Sequence, residues 1–343
     1  MIHISLGLYK EAEPLLESAF NTFKAVSGEN DPAPLRAMHC LANLYRLQGQ
    51  YDKALPLYLQ GLQDLRSTLG DEAPETLTLM NDLGELYRLT NKNSKAEAIY
   101  LQALEAQHRL LGDEEPETLD TMNNLAFLYM QIGWFDKAEP LYEKSFKGRM
   151  KVLGKDHPDT ITSVNNLAVL YAKQKRFEEA APLYKASLED RCRVLGEKHP
   201  ETTTARFKLA MFFLMQDRLD EAEPLFLQAL EDRRHDLGED HPKTLIVYTY
   251  LANLHTGQER YDEALPLYEK ALKLMMSTIG ENHNFTLFTM YHFAEFYLRL
   301  GRYQEAEVLA REALLHTEPS HPEYTMRKDL MEAILRETGN SCK

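Results

Sequence analysis

Four histidines, His157, His199, His241 and His283, recur at a spacing of 42 residues, and a histidine ladder raises the question of a metal site. Zinc needs further ligands at short, fixed spacings, and none of these histidines has a second ligand so placed. Each stands immediately before a predicted helix start, three of them directly ahead of a proline, so a capping or surface role is expected instead. The acidic DEEPE and GEDHP runs fall in the same loops, where carboxylates are stabilised by the helix dipole. Cys40, Cys192 and Cys342 are far apart and in no paired spacing, which offers neither a disulfide framework nor a zinc site. No glycine-rich phosphate loop, serine elbow or Cys–His nucleophile arrangement is present. The expectation is therefore no enzyme activity, no catalytic residue, no metal and no cofactor.

Charge and hydropathy narrow the partners. The 343 residues carry a formal net charge of −14, which disfavours binding to nucleic acid or anionic membrane, where phosphates must be neutralised. With 44% hydrophobic and 27% charged residues the composition is that of a folded, soluble chain. No run of about 18 apolar residues could span a bilayer, so no membrane insertion is expected. The opening MIHISLGLYKEAE shows no secretory signal, and with the unpaired cysteines this points to a cytoplasmic location.

The elements that position these residues follow from one internal period of 42 residues. Gly28, Gly70, Gly112, Gly154, Gly196, Gly238 and Gly280 fall on it without a slip, as do Ala12, Ala54, Ala96, Ala138, Ala180, Ala222, Ala264 and Ala306. In the copy beginning His157, Pro158 suits the first turn of a helix, and Leu167, Ala168, Leu170 and Tyr171 form one apolar helical face. Lys173–Arg176 interrupts that face where sister copies carry Gly49, Gly133 or Gly301, which predicts a tight turn. A second helix follows with Ala180, Tyr184, Ser187 and Leu188 inward, closed at Gly196 by a left-handed cap. Two columns of small residues predict close helix approach: Ala42, Gly84, Ala126, Ala168, Ala210, Ala252 and Ala294 in the first helix, and Ala19, Gly61, Ala103, Ser145, Ser187, Ala229, Ala271 and Ala313 in the second. A helix pair cannot bury its apolar face alone, so neighbours must stack. The prediction is an all-α, continuous solenoid over 1–343: a partial first repeat at 1–28, seven helix pairs over 29–320, and a capping helix and tail over 321–343. In the capping helix Leu330, Met331, Ile334 and Leu335 are expected inward, with Arg327, Lys328, Asp329 and Arg336 outward.

Segments such as NNLAVLYAKQKRFEEAAPLYKASLEDRCRVLGEKHPET resemble the 42-residue tetratricopeptide repeats of kinesin light chains and of nephrocystin-type proteins. The resemblance implies a right-handed α-solenoid of antiparallel helix pairs and a protein-interaction scaffold or adaptor of cargo-binding type, with a kinesin-type motor as an implied partner. It also implies that the first helix of each pair lines the concave face and receives extended peptides. The heptad coiled coil of kinesin light chains has no counterpart here, and the chain opens at Ser5–Tyr9 in the turn between two helices. That leaves Leu15, Leu16, Ala19 and Phe20 at an uncovered end, which keeps two further readings: a sensor arm of a larger regulator, and an oligomerisation module.

Setting the core positions aside leaves three columns for such a groove, two before, two after and five after the leucine that recurs as Leu41, Leu83, Leu125, Leu167, Leu209 and Leu251, with Phe293 in the last copy. Arg36, Asn43, Arg46, Asn81 and Arg88 form a polar, basic part, in which asparagine suits a peptide backbone and arginine offers a fork for carboxylates. Phe127, Met130, Phe207, Met211 and Leu214 form an apolar part. Asn81, Asn123 and Asn165 match positions where the resemblance implies peptide-contacting asparagines. The expected ligand is a protein or peptide segment, acidic beside a bulky hydrophobic anchor. The competing reading places these asparagines and arginines in bonds between neighbouring helices.

Overall fold

The computed structural model describes residues 9–27, 32–319, 321 and 323–339, and among them it contains sixteen α-helices and no strand. The turn at Ser5–Tyr9 lies, up to residue 8, outside the described residues. In chain order the helices are α1 (Tyr9–Ser27), α2 (Pro32–Leu47), α3 (Tyr51–Thr68), α4 (Pro74–Leu89), α5 (Asn93–Leu110), α6 (Pro116–Gln131), α7 (Phe135–Val152) and α8 (Pro158–Lys173). They continue as α9 (Phe177–Leu195), α10 (Pro200–Leu214), α11 (Leu219–Leu237), α12 (Pro242–Gly257), α13 (Tyr261–Thr278), α14 (Asn284–Arg299), α15 (Tyr303–Leu315) and α16 (Tyr324–Glu337). The chain divides into two compact units, Met1–Ala180 and Ala181–Lys343. Sequence neighbours pack on one another from α1 to α8 and from α10 to α16, and first helices of successive pairs also touch, as α4 does α6 and α12 does α14.

The helix starts are built as their residues require. His157, His199, His241 and His283 occupy N-caps, where each Nδ1 accepts the backbone N–H two residues on, at 3.1–3.2 Å. Among the described residues no group of three His, Cys, Asp or Glu side chains could hold a metal. The turn inside each pair places one residue in the left-handed region. Gly49, Gly133 and Gly301 fill it at φ of 70–80°, but Asn91, Lys175, Asp217 and Glu259 fill it at 56–62°. A side chain there costs roughly 1–2 kcal/mol, less for asparagine and aspartate.

The core of each pair is a side chain of the second helix laid across the small-residue column of the first. Tyr58, Tyr100, Tyr142, Phe226 and Tyr268 are fully or almost fully buried, as are the small residues from Ala42 to Ala294. At Gly84 a Cβ would stand 2.6 Å from the Tyr100 ring. Polar groups are buried too. Arg206 and Asp232 join α10 to α11 by a 2.5 Å ion pair with side chains 5% and 7% exposed, and Thr203 donates to the same carboxylate at 3.2 Å.

Two end regions depart from expectation. Leu330, Met331 and Ile334 of α16 are buried, with Leu335 packed beside them, while Lys328, Asp329 and Arg336 are exposed. Arg327 is not outward. It is 1% exposed and donates to Thr317 and to Glu323, because a guanidinium at this register can satisfy a threonine hydroxyl and a carboxylate beneath the helix. Burial holds its pKa below the usual arginine value. At the other end, Leu16 and Phe20 pack against the core cluster beside α2 and Ala19 is half-buried; the exposed apolar side chains of α1 are Leu15, Phe23 and Val26.

Replacing Lys175 or Glu259 by glycine should stabilise the fold by about 0.5–1 kcal/mol, relief of left-handed strain outweighing added chain entropy; chemical denaturation measures this. Asp232→Ala should cost about 3–5 kcal/mol by stranding Arg206, whereas the double change Arg206→Met with Asp232→Leu should recover most of it, read from the same melts.

Candidate peptide-binding face

The second column of the first helices meets the buried ring of its own pair. In α2, Asn43 accepts the Tyr58 hydroxyl at 2.7 Å; in α12, Asn253 accepts that of Tyr268 at 2.5 Å; in α4, Glu85 lies 3.5 Å from that of Tyr100. Where the column residue is Met211, the second helix carries Phe226, with no hydroxyl to satisfy. Two pairs break the rule: Val169 stands opposite Tyr184, and Phe127 opposite Tyr142, whose buried hydroxyl has no partner among the described residues. Burial pushes the Tyr58, Tyr100, Tyr142 and Tyr268 hydroxyls well above the usual phenol value.

In the first unit these side chains form a closed network. Asp82 accepts from His39 at 2.6 Å and Asn43 at 3.0 Å, and Arg46 lies 3.9 Å away. Burial raises the Asp82 pKa, but the bonds from His39 and Asn43 and the nearby charges outweigh it, so the carboxyl sits below its usual value. Arg46 also donates to Asn43 at 3.0 Å and to Tyr58 at 3.2 Å. Arg88 grips Glu85 through two bonds of 2.5 and 2.8 Å, reaches Gln131 at 2.6 Å and lies 4.7 Å over the Phe127 ring. Two of the three arginines expected to offer open forks, Arg46 and Arg88, are thus engaged within the protein, because carboxylates stand three residues away or on the first helix of the next pair. Asn81 donates to Thr121 at 2.5 Å, leaving its buried carbonyl oxygen without a partner, and Asn123 accepts from Asn166 at 2.9 Å. Met130 and Asn165 are each only 4% exposed, so they belong to the interior and not to an open groove. Arg36 is exposed beside a separate cavity of about 360 Å³ between α2, α3 and the start of α4.

The second unit carries an open site on the corresponding face. Between α10, α12 and α14 lies a cavity of about 510 Å³, lined by Met211, Leu214, Met215, Tyr250 and Phe288, with Asp217, Asn253, Thr256, His292, Glu295 and Arg299 among its polar members. That volume lies within the range of pockets that take a compact ligand group. Phe288 packs 5.4 Å from Tyr250 and edge-on to His292 at 4.3 Å, giving an aromatic wall. His292 and Tyr291 both hold Glu295, at 2.8 and 3.1 Å. Burial pushes the Tyr250 hydroxyl up to about 12, so it is a neutral donor. Phe207, half-buried, packs edge-on against Phe226 and Tyr250 and so buttresses this wall instead of lining the cavity. Of the residues expected in the apolar part of the groove Met211 and Leu214 line this cavity, together with the column members Asn253, Thr256 and Glu295. Tyr250, Phe288 and His292 escaped sequence reasoning; the available signal was the column one before the leucine, which changes from Asp82 through Asn124, Asn166 and Lys208 to Tyr250 and His292.

Tyr142→Phe should leave stability unchanged or raise it slightly, whereas Tyr58→Phe should cost about 0.5–1.5 kcal/mol through its lost bonds to Asn43 and Arg46; paired denaturation curves separate the two.

The tetratricopeptide repeat family model matches residues 1–67, 35–109, 117–193, 164–235, 201–275 and 245–314. No curated protein matches the chain. Among solved structures, a Podosopora anserina putative kinesin light chain with nearly identical TPR-like repeats is 26% identical, with a TM-score of 0.52 over 60% of this chain and 98% of that one. BtubC (BKLC) from P. vanneervenii is 19% identical, with a TM-score of 0.55 over 66% of this chain and 91% of that one. The apo quorum sensor NprR from B. thuringiensis is 17% identical, with a TM-score of 0.70 over 92% of this chain and 86% of that one; at such identities the likeness is one of fold. The chain belongs to the tetratricopeptide repeat family, with an all-α solenoid fold and repeats of the kinesin light chain-like type.

Proposed function

We propose that this chain is an adaptor that captures peptide segments on the first-helix face of its repeats, through a bulky hydrophobic anchor seated between α10, α12 and α14. The observation that carries this reading is the roughly 510 Å³ cavity, whose apolar wall of Met211, Leu214, Met215, Tyr250 and Phe288 lies beside a few polar groups. Methionine and aromatic side chains accommodate varied apolar anchors, while Asn253 and the Tyr250 hydroxyl offer hydrogen bonds to a peptide backbone. Arg299, exposed and without an ion pair among the described residues, is available to an acidic residue flanking the anchor. Asn81 and Asn123 mark a separate proposed contact within the first unit, and the regular 42-residue array supports reading residues 1–343 as one run of repeats. The fold is typically a non-catalytic interaction module, and no described helix is long and apolar enough to cross a membrane. A cytoplasmic cargo adaptor linked to a kinesin-type motor fits the light chain-like repeats.

A second reading is a sensor arm whose cavity takes a signalling peptide. It is favoured by the fold likeness to the quorum sensor NprR, which extends over 92% of this chain. Both readings place the ligand in the same cavity.

Selection from a random-peptide display library, repeated with Met211→Asp and Met215→Asp, tests the site. Enriched peptides should carry an aromatic or large aliphatic anchor and lose at least about tenfold in affinity in either variant. Peptides indifferent to both changes but sensitive to Asn81→Ala and Asn123→Ala would move the site to the first unit.

A further inference from the structure

A column in the second helices, Leu65, Gln107, Arg149, Arg191, Arg233, Met275 and Thr317, places arginines in three successive repeats, and all three are buried. Their surroundings differ in one respect. Arg149 pairs with Asp120 and donates to Ser163 at 2.8 Å and to the Asp159 carbonyl at 3.2 Å. Arg191 lies 3.8 Å from the Glu201 carboxylate and bonds Ser187. Arg233, 7% exposed, pairs with no carboxylate among the described residues. One N–H donates to the Lys243 carbonyl at 2.6 Å, and the guanidinium covers the Phe207 ring at 4.4 Å. Neither supplies a negative charge. Its neighbour Asp232 is committed to Arg206.

The difference is written in the repeat. Ten residues beyond Arg149 and Arg191 stand Asp159 and Glu201; ten beyond Arg233 stands Lys243. Asp159 and Glu201 lie in the first turns of α8 and α10, where the helix dipole favours an acid. The first turn of α12 has no acid and carries the exposed Lys243 in that place. Arg233 and Lys243, with Thr203, Thr204 and Asp236, line a small cavity of about 70 Å³. Asp236 is the one carboxylate on its wall, and it is bonded to His235 at 2.8 Å, so two cations there face a single acid. Burial pushes the Arg233 guanidinium down to about 10, as expected of a cation removed from water without a counter-ion.

We infer that the Arg233–Lys243 cavity at the start of α12 binds a carboxylate supplied by an acidic segment of a partner, taking the place that Glu201 fills beside Arg191 in the preceding repeat. A carboxylate is favoured over other anions because that is the group the sister arginines receive from within the chain, Arg191 from Glu201 at the same repeat position and Arg149 from Asp120 of its paired helix. The guanidinium offers a planar fork and the ammonium a second, mobile donor. This site is distinct from the first-helix cavity, so the two stand or fall separately.

The test is titration of fluorescein-labelled hexaglutamate into the full chain at fixed ionic strength, with inorganic phosphate as a competing anion. Lys243→Glu restores the sister-repeat acid and should weaken hexaglutamate binding at least about tenfold, while raising the melting temperature of the unliganded protein. Lys273→Glu, an exposed change of equal charge, and Met211→Asp should each leave binding within about twofold, as screened charges away from a site do. Equal loss in Lys243→Glu and Lys273→Glu would reduce the effect to net charge and overturn the site. Phosphate that binds more tightly than hexaglutamate would overturn the carboxylate assignment.

Discussion

The close crossing of the two helices in each pair is the constraint on which the rest depends. A ring from the second helix lies on an alanine or glycine of the first, and at Gly84 even a methyl group would stand 2.6 Å from the Tyr100 ring. That proximity excludes water from the pair and forms its core. It also drives the far end of the ring through to the first-helix face. Packing and recognition therefore share the same side chains: Asn43 and Asn253 are at once positions on the candidate binding face and acceptors for core tyrosines. A buried hydroxyl without a partner carries a desolvation cost, which Asn43 and Asn253 relieve at Tyr58 and Tyr268, which Phe226 avoids beneath Met211, and which Tyr142 bears beneath Phe127.

This coupling explains why the two units present different surfaces. In the first, the face is filled by polar side chains that satisfy one another, from His39 and Asp82 through Arg88 and Glu85. Such a network is stable only when its members are all paired, and pairing consumes the donors a ligand would need. In the second, Met211, Tyr250 and Phe288 replace polar residues at corresponding positions, and their shapes leave a cavity instead of a network.

The buried charges follow a related logic. Arg149, Arg191, Arg206 and Arg327 each have a carboxylate within reach, supplied by the next helix start, by the paired helix or by their own helix. Repeat proteins can vary such partners one copy at a time, since each copy touches only its neighbours. Lys243 is such a variation, and it alters the charge of a buried site without disturbing the helices that frame it.

The helix pairs, their caps and their small-residue contacts were legible in the sequence because they recur: a 42-residue period presents the same local requirement several times, and proline, glycine and histidine at fixed places state it directly. Membership of the open face was less legible. Periodicity tells which side of a helix a residue occupies, but not whether the neighbouring helix lies close enough to cover it, as it does over Met130 and Asn165. Nor does it tell whether an arginine is spoken for, since Glu85 meets Arg88 and Glu323 meets Arg327 through side-chain geometry that helical spacing permits without requiring. The sequence by itself determined the repeat, the fold and the columns that could carry recognition; the tertiary structure decided which members of those columns are paired, which are buried and which are left to line a cavity, because those outcomes depend on distances between helices that no single helix specifies.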